Sequence, residues 1–233
     1  MLDRAVVILA YVIGCGPFLL MLAGMTGSVE LHLPTGAALG WDGFLSLAFF
    51  LQHSVMVRRP VKARIALLVP ARYTGALYAI ASGAVLALVV LLWQRTETWF
   101  TIAGALRWSA VVLSALAAAG FFWGAASLHG FDPLGIRPIR RYRSGRPDRP
   151  PELQVRGAYR WVRHPLYLCM LLLIWASPEL SADRLLFRAL WSAWIVVGAI
   201  LEERDLTAEL GPSYQAYRRQ VPMLIPWRQP SDS

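Results

Sequence analysis

The chain has 233 residues, 57% of them hydrophobic and only 16% charged, with a formal net charge of +9. A soluble domain carries about 25% charge, and here the apolar residues run in long blocks rather than amphipathic stripes, which argues against a soluble core and for a polytopic helical membrane protein. The basic balance is not a nucleic-acid footprint, because the cations sit in loops between apolar blocks, the pattern of membrane proteins.

The first predicted span runs from about Val6 to Met25. Arg4 precedes it, and no small-residue cleavage site follows it, so it reads as a retained span rather than a leader. A short loop with Glu30 and His32 leads to a second span, about Trp41 to Val57, with His53 in its last turn. A basic loop follows, carrying Arg58, Arg59, Lys62, Arg64 and Arg72. The third span is about Tyr73 to Trp93. A loop with Arg95, Glu97 and Trp99 leads to the fourth, about Ile102 to Leu128. The segment His129 to His164 is rich in Arg, Pro and Gly, so no long regular element is expected there.

An apolar hairpin comes next. Its first limb is Pro165 to Ala176, its turn Ser177-Pro178-Glu179, its second limb Leu185 to Leu201. Twelve residues reach about 18 Å as a helix, well short of the roughly 30 Å hydrocarbon core. The first limb is therefore re-entrant or steeply packed. In the polar tail, Leu206 to Gln220 reads as a short amphipathic helix stopped by Pro222. The expected fold is all-α: a transmembrane bundle of about six segments, the last two a helical hairpin. It forms one membrane-embedded domain, with four spans in residues 1–128 and the polar segment, hairpin and tail in 129–233. Cys15 and Cys169 both lie in apolar runs and read as buried free thiols.

Alternating the spans from a cytosolic N-terminus leaves four of the 23 Lys and Arg outside (Arg95, Arg107, Arg184, Arg188) and all the others inside. That bias places both termini in the cytoplasm. Trp41, Trp93 and Trp99 fall near outer boundaries, where aromatic belts sit. His53, His129, Asp132, His164, Glu202 and Glu203 all fall at cytoplasmic ends of spans, so a site would open toward the cytosol or the inner leaflet. Polar groups at such a depth are costly and usually functional.

Each candidate also has a plain structural role. His164 before Pro165 suits a helix start. Glu202 and Glu203 suit an interfacial pair neutralised by Arg204 or Arg163. His53 and His129 suit hydrogen-bonded packing groups, and the run from Arg137 to Arg149 a headgroup-facing loop. No two His are spaced for one helix face and no Cys joins them, so no metal site is expected. A phosphate-binding glycine loop and a nucleophile elbow are both missing.

The motifs Arg163-His164-Pro165-x-Tyr167, Glu202-Glu203 and Gly211-x-x-Tyr214-x-x-Tyr217-x-x-x-Val221-Pro222, in this order, resemble the isoprenylcysteine carboxyl methyltransferase superfamily of membrane enzymes. Further stretches resemble the bacterial methanethiol S-methyltransferases, and in part the nitric-oxide-metabolism membrane proteins. These are Gln52-His53-Ser54-Val55-Met56 with Arg59-Pro60, Phe131-Asp132-x-Leu134-Gly135, Leu201 to Leu206, and Val221 to Pro226. The likeness covers residues 45–226. It implies S-adenosyl-L-methionine as cofactor, held by Glu152, Leu153, Gln154, Tyr159, His164, Pro165, Leu166, Tyr167 and Glu202. Two departures stand out: Cys169 replaces the glycine common two residues after the motif Tyr, and Gly198 replaces the Arg that prenylcysteine enzymes place one turn before the cofactor Glu. The second disfavours a carboxylate acceptor.

The expected reaction is methyl transfer to a small lipophilic thiol such as methanethiol, giving dimethyl sulfide, at the cytoplasmic face of a bacterial inner membrane. Glu203, His53 and His129, in that order, are candidate bases, and Arg163 a candidate thiolate stabiliser. Competing readings are a prenylcysteine-like, amine or phospholipid acceptor, an NADPH-dependent reductase of the sterol type, and a non-enzymatic membrane protein of the nitric-oxide-metabolism type. The lipid bilayer and a small thiol are the expected partners, with no nucleic acid.

Overall fold

Apolar blocks of this length have one simple solution in a bilayer: a helix, which satisfies every backbone N–H and C=O within the segment. The computed structural model follows it and describes residues 1–22, 27–128, 131–145 and 153–228. In chain order come α1 (Leu2–Leu9), a π-helical stretch (Ala10–Cys15), α2 (Gly16–Leu22), α3 (Thr35–Met56), α4 (Arg59–Leu68), α5 (Thr74–Leu92), β1 (Thr98–Thr101), α6 (Gly104–Ser127), α7 (Arg137–Arg143), α8 (Pro165–Trp175), β2 (Glu179–Ser181), α9 (Ala182–Leu210) and α10 (Pro212–Gln220). Among the described residues, four helical stretches are long and apolar enough to cross a membrane: Leu2–Met21, Ala71–Leu92, Gly104–Ser127 and Ala182–Leu210. The 22 residues of α3 have the length, but they include Asp42, Gln52 and His53. The predicted end of the first span, Met25, lies outside the described residues.

The structure differs from the sequence reading in several places. The helical-bundle expectation holds, with one short addition: β1 and β2 pair antiparallel, Thr98 opposite Ser181 and Thr101 opposite Glu179. The β-favouring run Thr98-Trp99-Phe100-Thr101 explains the first strand. The second hairpin helix does not stop near Leu201. It continues through the paired glutamates to Leu210 and ends where Gly211 turns to φ +58°, and Pro212 starts α10. The tail helix is therefore shorter than Leu206 to Gln220. Trp93 is buried at 4% exposure and is no belt residue, whereas Trp99 is 61% exposed.

The chain divides into two compact units. The first combines Met1–Thr96 with Asp132–Arg149. At one end, the buried Asp42 accepts from the backbone N–H of Gln94 at 2.8 Å, and Trp41 Nε1 donates to the Leu92 carbonyl at 3.1 Å, tying the start of α3 to the end of α5. Elsewhere Ala10, Tyr73, Ala76, Ile136 and Ile139 form a core that docks α7. The Asp132 carboxylate accepts from the N–H groups of Ile136 (3.0 Å) and Arg137 (2.7 Å) and so satisfies two free donors at the start of α7. Gly135, at φ +62°, packs on Gly75 so tightly that a Cβ added to Gly75 would sit 2.8 Å from its Cα. The Phe131-Asp132-x-Leu134-Gly135 motif is thus local architecture.

The second unit combines Glu97–Phe131 with Pro150–Ser233. Here α8 packs between α6 and α9. The 11 residues of α8 span about 16 Å, so the short first limb is real. Cys169, a free thiol, faces Gly120 of α6, where an added Cβ would lie 2.9 Å from its Sγ. The hairpin turn is held by Arg188, which donates from Nη2 to the carbonyls of Ser177 and Glu179, both at 2.8 Å.

Candidate functional site

The three motifs of the carboxy-terminal half meet within the second unit. His164 caps α8 and Pro165 occupies its first turn, where the missing N–H costs nothing. Just before it, the backbone N–H of Arg163 donates to the Pro222 carbonyl (2.9 Å) and that of His164 to Met223 (3.1 Å). The Val221-Pro222 tail is therefore laid along the start of α8. Under it, Tyr214, Tyr217 and Val221 form a small core with Leu153, Val155, Leu206 and Leu210.

Glu203 is the hub of this arrangement. Its side chain is 7% exposed. Oε1 takes Arg163 Nε at 2.5 Å, His164 Nε2 at 3.3 Å and the Tyr214 hydroxyl at 3.4 Å, while Oε2 takes Arg218 Nε at 3.1 Å. Arg163 also donates from Nη1 to the carbonyls of Arg218 and Val221. One carboxylate thus fastens α9, the start of α8 and α10 together. A carboxylate with this many donors is stabilised as an anion and is poorly placed to take a proton.

Glu202 is its opposite. Its side chain is 45% exposed, and Oε2 stands 3.9 Å from His164 Nδ1. His164 thus lies between two carboxylates, and the Tyr167 ring stacks on it with centroids 5.5 Å apart. The Tyr217 hydroxyl donates to the Tyr159 carbonyl at 2.7 Å, holding the turn that carries Tyr159. Burial, and then the charge of Glu202, push the Tyr159 phenol up. Burial likewise raises Tyr214, with the charge of Glu203 second, and Tyr217. All three phenols are donors at neutral pH.

An accessible carboxylate, an imidazole and two tyrosines at a helix start can hold a cationic or hydroxyl-bearing ligand. The carboxylate accepts from ammonium or ribose hydroxyls, and an aromatic face accommodates a flat heterocycle or a sulfonium. Of the residues expected from sequence, Tyr159, His164, Tyr167 and Glu202 come together here. Leu153 packs beneath the tail and Gln154 follows it. Leu166 and Pro165 face Gly124 of α6, so their side chains serve packing. His129 and Glu152 lie outside the described residues. His53 belongs to the first unit, where the Tyr78 hydroxyl is 2.7 Å from Nε2 and the Phe49 ring 5.3 Å from the imidazole. Sequence reasoning missed Arg218 and Tyr78. The available signals were Arg218 one turn after Tyr214, and two hydroxyls one turn apart, Tyr78 and Ser82, in an otherwise apolar run.

Residues 44–223 match the family model described as NnrU protein. The chain belongs to the NnrU family. The matched span includes both His53 and the whole Glu203 clasp. Similar proteins include the Methanethiol S-methyltransferase of a Pseudomonas species, 34% identical over 221 residues, covering 89% of this chain and 82% of the relative. Methanethiol S-methyltransferase 2 of Bradyrhizobium diazoefficiens is 36% identical over 211 residues, 85% of this chain and 78% of that one. Nurim of Rattus norvegicus is 28% identical over 191 residues, with coverages of 73% and 68%. No solved structure matches this member of the NnrU family.

Proposed function

We propose that this chain is a membrane methyltransferase that uses S-adenosyl-L-methionine to methylate a small lipophilic thiol, methanethiol being the acceptor in the names of its relatives. The supporting observation is the division of labour in the glutamate pair: Glu203 is buried and committed, and Glu202 is left accessible beside His164 and Tyr159. The cofactor supplies a methyl group on a positively charged sulfur. Glu202 accepts from its polar groups, and Tyr159, His164 and Tyr167 provide ring faces. Leu153, Gln154 and the backbone of Pro165 and Leu166 border the same site. Arg163 and Glu203 act as positioning residues, fixing the imidazole and the tail.

A small alkanethiol holds its proton at neutral pH, so an acceptor for that proton accelerates attack. His53, whose ring Tyr78 orients within the first unit, and His129 stay candidates for that acceptor on sequence grounds. Gly198 stands one turn before Glu202, and nothing lies within 4 Å of where its Cβ would be. Since no Lys or Arg occurs between Arg188 and Arg204, this limb favours an uncharged acceptor. The site faces the cytoplasm from a bacterial inner membrane.

The test uses purified protein, methyl-labelled cofactor and a panel of thiols, amines and prenylcysteine analogues. Labelled dimethyl sulfide from methanethiol is the expected product. Label on an amine or prenylcysteine analogue instead would move the acceptor class, and no label transfer with no cofactor binding by folded protein would sink the enzyme reading. Glu202→Gln should weaken cofactor affinity roughly tenfold or more, the scale of a lost charge-assisted bond. Unchanged affinity removes Glu202 from the site.

A further inference from the structure

The first unit carries a basic surface that the methyl-transfer reading does not use. In α4, Val61 and Ile65 are half-buried against the protein, while Ala63, Ala66, Leu67 and Leu68 point away from it. Leu67 and Leu68 are each 86% exposed. At helical spacing, Lys62 and Arg64 flank the strip of Ala63, Ala66 and Leu67 on opposite sides, with Leu68 beyond Arg64 at the helix end, and both cations are exposed. This is the layout of a helix lying in a membrane interface, with leucines toward the acyl chains and cations toward headgroups.

The basic surface continues onto α7. Arg72, just beyond α4, lies 4.5 Å from the Tyr73 ring and 4.1 Å from the Tyr142 ring of α7. Arg140 and Arg143 of α7 are exposed, and Arg140 Nη2 also donates to the Tyr11 hydroxyl at 3.0 Å. The sequence has no Asp or Glu from Gly43 to Thr96, nor from Pro133 to Ser144. Among the described residues, two carboxylates of the unit come close, and both are engaged. Asp132 accepts from the N–H groups of Ile136 and Arg137 at the start of α7, and Asp3 accepts from the Tyr73 hydroxyl at 2.5 Å, 3.8 Å from Arg72 Nε.

We propose that α4 and α7 together bind the headgroups of anionic phospholipids, so that the protein selects acidic over zwitterionic lipid. Charge complementarity carries the choice of partner: the surface holds Lys62, Arg64, Arg72, Arg140 and Arg143 with no carboxylate in either helix. The exposed leucines beside them match a lipid rather than a soluble anion.

The experiment titrates the detergent-purified full chain with phosphatidylglycerol, phosphatidylcholine or inorganic phosphate and follows the thermal unfolding midpoint. Phosphatidylglycerol alone is expected to raise the midpoint. A combined Lys62→Gln, Arg64→Gln and Arg143→Gln variant should keep the lipid-free midpoint and need at least roughly tenfold more phosphatidylglycerol for the same rise. Leu67→Gln with Leu68→Gln should weaken the response while sparing the lipid-free midpoint. Equal shifts with both lipids, a shift reproduced by phosphate, or an undiminished shift in the charge variant would each overturn the proposal.

Discussion

Glu202 and Glu203 are neighbours in the chain with opposite surroundings, and the difference assigns them different work. Buried and held by Arg163, Arg218, His164 and Tyr214, Glu203 is a structural anion. Removing one partner of a buried pair leaves the other charge uncompensated, which costs about 3–5 kcal/mol. Arg218, 45% exposed on its side chain, recovers water and contributes little to that loss, whereas Arg163, 8% exposed, does not. Glu203→Ala should therefore lower the unfolding midpoint in detergent clearly, and Glu202→Ala should leave it near wild type while cofactor binding falls. Equal stability losses in the two variants would contradict the assignment. The pair itself was legible in sequence, as was its meeting with Arg163 and His164. Which carboxylate stays open was not, because that depends on α10 folding back over α9, and the partners Tyr214 and Arg218 reach Glu203 only through the turn at Gly211.

At the scale of elements, the helices were legible because their apolar blocks are long, while their ends were not. α9 runs on past Leu201 because Glu202 to Leu210 has good helix formers and no breaker before Gly211. The strands were hidden by their shortness. Packing specificity was also hidden, since it pairs positions far apart in the chain. Cys169 is the clearest case: the residue it faces on α6 is the small Gly120. Gly120→Ala places a methyl 2.9 Å from the Cys169 sulfur, and overpacking of this kind costs typically about 1–3 kcal/mol. Cys169→Gly should relieve that cost, so the double variant should be more stable than the sum of the single changes predicts. A double-mutant cycle on unfolding in detergent measures the coupling; additive effects would mean that α6 and α8 do not meet at this pair.

For the whole molecule, length and charge together decide which way the chain faces. The 29 residues of α9 span about 44 Å, longer than the roughly 30 Å hydrocarbon core, so one end must project. The apolar stretch closes at Leu201, and Glu202-Glu203-Arg204-Asp205 follows, so the projecting end is the carboxy-terminal one. That lifts the Glu203 clasp out of the hydrocarbon and gives Glu202 the water its exposure requires. The tail then continues with Arg218, Arg219 and Arg228, and the amino terminus begins with Arg4, against only Arg95, Arg107, Arg184 and Arg188 on the other side. A cation bias of this size sets orientation, so both termini should lie in the cytoplasm. A green fluorescent protein fused after Ser233 should fluoresce and alkaline phosphatase fused there should be inactive. Phosphatase inserted between Arg95 and Glu97 should be active. The reverse pattern would put the clasp and Glu202 on the side away from cytosolic cofactor, and the methyltransferase proposal would then fail on supply alone, whatever the site's chemistry.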